Sequence, residues 1–120
     1  MVPEEEYEIP IGKGIIRKEG KDVSLVSFSY VMNEATKASD QLAKEGVDVE
    51  LIDLRSIKPY DKELLIDSVK KTGRLVIVDE SWKTGGFSAE IASFIAENAF
   101  KYLKEPIIRV CLPDIPAPSS

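Results

Sequence analysis

The sequence predicts an α/β domain built on a mostly parallel sheet with helices on both faces. Three observations carry this. Apolar and β-branched runs alternate three times with segments whose apolar residues recur at helical spacing, which implies right-handed crossovers between parallel strands. The run Leu75 to Val78 is apolar throughout, as suits a strand covered on both sides. A length of 120 residues with 43% hydrophobic content gives one domain with one core.

Residues Met1 to Pro10 are acidic and proline-flanked, with Glu4, Glu5 and Glu6 in succession, and read as an extended arm. The domain proper is expected over 15–120, with 1–14 as linker. Ile15 to Lys18 and Val23 to Phe28 are β-prone runs around Gly20, which suggests an antiparallel hairpin. After Tyr30 the period changes, and Val31, Ala35, Ala38 and Leu42 fall on one helical face before Gly46 supplies a left-handed stop. Val47 to Asp53 is the next strand. Pro59 and Asp61 then open a helix that turns Leu64, Leu65 and Val69 inward and ends at Gly73. After Leu75 to Val78, residues Trp82 to Gly86 make a loop. A long helix follows from about Ser88 to Leu103, with Ile91, Phe94, Ile95 and Ala99 inward. Ile107 to Cys111 forms the last strand, after which Pro113, Pro116 and Pro118 forbid regular structure.

Composition excludes several functions. A net charge of −5 argues against nucleic acid or anionic membrane as partner, since both would be repelled. Every apolar run is cut by charge or glycine well short of the roughly 20 residues a membrane-spanning helix needs. Cys111 is the lone cysteine and can form no internal disulfide, and no secretory signal opens the chain, so a cytoplasmic protein is expected. The sequence has no histidine, which removes the usual general base near neutral pH and the commonest metal ligand.

The order of motifs resembles a known family. VPEEEYEIPIGKG at Val2 to Gly14, GVDVELIDLRSIKPYD at Gly46 to Asp61, KTGRLVIVDES at Lys71 to Ser81, GGFSAEIA at Gly85 to Ala92 and EPIIRVCLPDIPAP at Glu105 to Pro118 are similar, in that order, to the C-terminal, transketolase-like domain of the β subunit of thiamine-diphosphate-dependent 2-oxo acid dehydrogenases. The resemblance implies a three-layer α/β/α fold with a five-stranded mixed sheet whose first strand is antiparallel. It implies that thiamine diphosphate and magnesium belong to the parent enzyme, with the aminopyrimidine site and a catalytic histidine in a preceding domain. It therefore implies no catalytic, cofactor-binding or metal-binding residue in this chain. The implied partners are an α subunit and a second β subunit in an α2β2 enzyme that decarboxylates pyruvate or a branched-chain 2-oxo acid, together with the acyltransferase core of the complex. The location would be cytoplasmic, or an organelle matrix in a eukaryote. A final helix would follow Ser120 in the parent subunit, so Met1 and Ser120 are expected to bound a piece of it.

Several residues are candidates for an interdomain or partner surface. Asp53 and Arg55 end a strand on the same side and could join an interdomain network, or could pair with each other or with Asp79 or Glu80 to settle buried charge. Gly85 and Gly86 could hold an anion at a helix start, or form a tight turn with Ser88 as N-cap. IGKG at Ile11 to Gly14 lacks the spacing of a nucleotide loop. Cys111 reads as a buried thiol, and Trp82 as a partner anchor or a residue packed on its own domain. Ser29, Tyr30, Glu80 and Ser81 should line the crevice where strand order reverses. Phe100 departs from the inner stripe of the last helix, which Tyr102 extends, and is a candidate for a weak homodimer contact. The alternatives are another transketolase-like enzyme, such as transketolase or a deoxyxylulose-phosphate synthase, and a free-standing signalling module of the receiver type.

Overall fold

A computed structural model of the chain describes residues 12–28, 32–55, 59–79 and 86–111, Cys111 by its backbone alone. Five strands, β1 (Ile15–Lys18), β2 (Val23–Ser27), β3 (Val49–Asp53), β4 (Leu75–Asp79) and β5 (Ile108–Cys111), lie in one sheet in the order β1-β3-β2-β4-β5. β1 runs antiparallel to β3, and every other pairing is parallel. The mixed sheet expected from the sequence is present.

The expected hairpin is not. β1 pairs with β3, so β3 separates it from β2. The cause is the connection through Gly20, which passes against the start of β3 instead of turning back on itself. A Cβ on Gly20 would stand 2.3 Å from the Val49 carbonyl carbon, so no other residue fits without displacing backbone. The Gly20 N–H donates to the Glu50 carboxylate at 3.1 Å, and Lys71 closes an ion pair on the same oxygen. Next to it Asp22 N–H donates to the Asp48 carbonyl at 2.8 Å, and Asp48 N–H donates back to the Asp22 carboxylate at 2.7 Å. These bonds carry the chain past β3 to the middle of the sheet.

Side chains alternate across the central strands and divide the core in two. Val26, Ile52 and Ile77 face helices α2 (Lys62–Thr72) and α3 (Phe87–Asn98), packing with Leu65, Val69, Ile91 and Ile95. Leu25, Leu51 and Val78 face α1 (Met32–Lys44) and pack with Ala35. Of the described helices, two thus cover one face and one covers the other. In α1 the inner face is rotated from the expected stripe: Ala35 and Ser39 are buried, Leu42 is half-buried and Ala38 is exposed. α3 ends at Asn98, short of the expected Leu103, and a 3₁₀ turn at Phe100–Tyr102 completes the segment. Ile91, Ile95 and Ala99 are buried as expected, with Phe94 partly so.

Asp61 does two things at once. Its Oδ1 caps α2 by accepting from the Leu64 N–H at 3.2 Å, and its Oδ2 accepts from the Gly14 N–H at 3.0 Å. Gly12 rests near Pro59 and Gly14 near Leu64, so the described end of the arm lies on the domain. The two edges of the sheet differ. β1 carries a bulge between Ile16 and Lys18, whereas β5 leaves Ile108 and Val110 exposed.

Candidate functional site

β2 lies between β3 and β4, and the chain moves to one side of it for β3 and to the other for β4. The reversal of strand order therefore falls between β2 and β4, as expected, and the carboxyl ends of β2, β3 and β4 frame the position where open sheets hold ligands. Of the expected site residues, Ser29, Tyr30, Glu80, Ser81 and Trp82 lie outside the described residues, as does Gly85. Asp53, Arg55 and Phe100 are described.

Asp53 is fully buried at the end of β3, and its side-chain partner is Arg17, with Arg55 bonding it through the backbone and Glu80 outside the described residues. Its Oδ2 accepts from Arg17 Nη2 of β1 at 3.2 Å, and its Oδ1 accepts from the Arg55 backbone N–H at 2.9 Å. The second bond closes a tight local turn that holds Arg55 at φ 63°, a left-handed conformation uncommon outside glycine. The Arg55 side chain is exposed. Arg17 takes the pairing role because β1 lies directly beside β3, on the side opposite β2.

Asp79 ends β4, also fully buried, and its Oδ2 accepts from the Ser88 N–H at 3.1 Å. This overturns Ser88 as the N-cap: the helix begins at an extended Gly86 with no side-chain cap of its own, and the strand carboxylate across the gap serves its amide. The Asp79 carboxyl thus already occupies the amino end of α3, the place a bound anion would take. Arg109 Nη1 approaches the Ser88 hydroxyl at 3.5 Å and draws β5 into the same network. Ser27 Oγ donates to the Val78 carbonyl at 3.0 Å, tying the ends of β2 and β4 together.

An aromatic group closes the rear of this region. Phe28 and Phe87 have ring centroids 5.6 Å apart, Tyr60 meets Phe87 edge-on at 5.2 Å, and Phe94 stands edge-on to Tyr60 at 6.0 Å. Lys62 Nζ lies 5.6 Å from the Tyr60 ring centroid and 5.4 Å from that of Phe94. The Tyr60 hydroxyl is buried and makes no hydrogen bond of regular geometry among the described residues, but Glu90 lies near it, and burial, followed by the Glu90 charge and the approach of its carboxylate to the hydroxyl, raises the Tyr60 pKa. It remains neutral at physiological pH. The sequence offered no signal for this cluster, because its members come from three segments far apart in the chain.

Among the described residues no group of three or more histidine, cysteine or acidic residues is placed to hold a metal ion, and no helix is long and apolar enough to cross a membrane. The buried carboxylates of Asp53 and Asp79 are committed to Arg17 and to backbone amides. Away from the strand ends, Phe100 is 70% exposed and borders a cavity of about 430 Å³ with Ala96, Leu103, Pro106 and Ile107. Tyr102 packs against the core, so the expected division between the two aromatics is observed.

Comparison with known proteins agrees with this architecture. The family profile described as "Transketolase, C-terminal domain" matches residues 12–120. The chain is 46% identical over 115 residues to the mitochondrial pyruvate dehydrogenase E1 component subunit beta of Dictyostelium discoideum, covering 96% of this chain and 32% of that protein. It is 48% identical over 118 residues to the mitochondrial 2-oxoisovalerate dehydrogenase subunit beta of the same organism, covering 98% of this chain and 32% of that one. A solved structure titled "Split gene transketolase, inactive beta4 tetramer" matches with a TM-score of 0.77 and 32% identity, over 86% of this chain and 33% of that one. The chain spans about a third of the length of the curated relatives it matches.

Proposed function

The chain belongs to the transketolase C-terminal domain family, and from that membership we propose that it is the non-catalytic assembly domain of the β subunit of a thiamine-diphosphate-dependent 2-oxo acid dehydrogenase. The whole enzyme would decarboxylate pyruvate or a branched-chain 2-oxo acid in the cytoplasm or an organelle matrix. Its partners would be an α subunit, a second β subunit and the acyltransferase core. Pyruvate-type and branched-chain-type relatives are almost equally similar, so the substrate is proposed as a class. Family membership sets aside the receiver-type module.

The observation that carries the non-catalytic role is the state of the strand ends. Asp53 and Asp79 are buried and bonded to the fold's own groups, which supports a structural role for both. Apolar surface remains instead, at Phe100 and along β5 at Ile108 and Val110. Surface of this kind is what a domain presents to another subunit. The thiamine cofactor and its magnesium would sit on a preceding domain and supply the decarboxylation chemistry, while this domain holds subunits in register.

Two measurements test the proposal. Calorimetric titration of the chain with thiamine diphosphate and magnesium should give no binding heat, and micromolar affinity would refute the non-catalytic role. In the full subunit, Phe100→Ser should weaken assembly as seen by sedimentation, and unchanged assembly would remove Phe100 from the interface. The isolated chain should form only a weak dimer, because a stable obligate interface buries about 2,000 Å² or more.

A further inference from the structure

Helix α1 leaves part of its sheet face uncovered on the β1 side, where a cavity of about 510 Å³ opens between the helix and the edge strand. Arg17 and Lys18 border it from β1, and Asn33, Thr36, Ser39 and Asp40 border it from α1. Consecutive residues of a regular strand point to opposite faces, yet both cations reach one cavity. The bulge accounts for this. Ile16 pairs with Ile52 and Lys18 with Leu51, so two steps along β1 match one along β3, and the spare residue is Arg17. A bulge of this type re-aims a side chain.

On the opposite wall, residues 33, 36, 39 and 40 follow helical spacing and share one face. Ser39 is 1% exposed, and its hydroxyl has no hydrogen-bond partner among the described residues, not even the helix carbonyl one turn back that often receives such a group. A buried hydroxyl in that state carries a desolvation cost the fold does not offset. Arg17 gives one donor to Asp53 and has four more, and Lys18 makes no ion pair among the described residues.

We propose that this cavity binds a small hydroxylated oxyanion, a phosphate ester or a carboxylate, whose charged oxygens face Arg17 and Lys18 and accept from the Ser39 hydroxyl. Charge-assisted bonds of that kind offset the serine's desolvation. Asp40 repels a bare anion and accepts from a ligand hydroxyl, which selects an anionic head on a hydroxylated skeleton. A volume of about 510 Å³ lies within the range of small-molecule pockets. The inference is independent of the assembly role proposed above.

The test is a titration of the 120-residue chain, followed by amide resonances of Arg17, Thr36 and Ser39, with glycerol phosphate in one arm and glycerate in the other. Saturable shifts in at least one arm are expected, and the arm identifies the head group. Lys18→Gln should weaken that binding about fivefold or more and Ser39→Ala about threefold or more. Ser39→Ala should also raise the unfolding midpoint, which shows that its weaker binding does not come from loss of fold. No saturable shift with either ligand up to about 50 mM, or unchanged affinity in both variants, would overturn the proposal.

Discussion

Gly20→Ala should be among the most damaging single-methyl substitutions in this chain. The added carbon would lie 2.3 Å from the Val49 carbonyl carbon, 2.4 Å from its oxygen and 2.6 Å from the Glu50 nitrogen. All three are main-chain atoms of a central region, so no side chain can rotate away. Relief requires the crossover to lift by about 1 Å, because carbon contacts settle near 3.5 Å. That movement weakens the Gly20 bond to the buried Glu50 carboxylate, a charged-group bond worth about 1.5–3 kcal/mol. Overpacking adds about 1–3 kcal/mol. The sum, about 2.5–6 kcal/mol, is a large share of the roughly 6–18 kcal/mol expected for a domain of this size. In urea, with a slope of about 1.5 kcal/mol/M, the midpoint should fall by about 1.7 M or more. Gly46→Ala is the control: nothing lies within 4 Å of its Cβ, but φ is +87°, so its cost of about 1–2 kcal/mol is conformational alone. A Gly20→Ala midpoint within about 0.3 M of the parent would show that the crossover does not hold the sheet order, and would refute the reasoning.

Three further outcomes follow from named contacts. Tyr60→Phe removes a buried hydroxyl that makes no hydrogen bond of regular geometry among the described residues and should leave stability unchanged or raise it by up to about 1 kcal/mol, measured by urea unfolding at pH 7; a loss above that would reveal a partner for the hydroxyl. Lys71 has its pKa raised chiefly by its hydrogen bond to Glu50, against the opposing effect of burial, so its stabilisation is complete below the ordinary lysine value of 10.5 and fades as pH climbs through the folded value. Tyr60, raised above 10.0, loses stability in the same direction, so the urea midpoint should drop on the alkaline side, and Lys71→Arg, which keeps its charge there, should flatten the drop; an equally steep decline in that variant would contradict the assignment. Asp61→Ala deletes a cap and the anchor of the arm, and should cost about 2 kcal/mol while speeding hydrogen exchange at Gly14; unchanged exchange there would mean the arm is held by packing alone.

The fold class was legible because each strand and helix announces its own period. Leu75 to Val78 reads as a doubly covered strand, and its side chains do enter both halves of the core. Topology was less so. Gly20 looks the same in sequence whether it turns a hairpin or slips beneath a neighbouring strand, and the difference lies in a main-chain approach some thirty residues away. That single misplacement of β1 also hid Arg17 as the partner of Asp53, since only a strand beside β3 can deliver it. Ser39 was overlooked because a serine on a helix reads as solvent-facing, whereas here it is buried and Ala38 is exposed. The cap on α3 escaped for a similar reason: a local motif suggests Ser88, but the acceptor is Asp79, nine residues back on another element.

The unlike edges of the sheet bear on how copies of this domain can meet. Strand-to-strand growth into a filament needs two receptive edges, one to accept and one to offer. At the β1 end the bulge breaks the regular ladder, and Arg17 and Lys18 place like charges where a second copy would align. Among the described residues the β5 end, with Ile108 and Val110 open, is the more receptive. Among the described residues, pairing through the sheet is therefore favoured as β5 against β5, a self-complementary contact that closes on itself and leaves no second edge of the same kind.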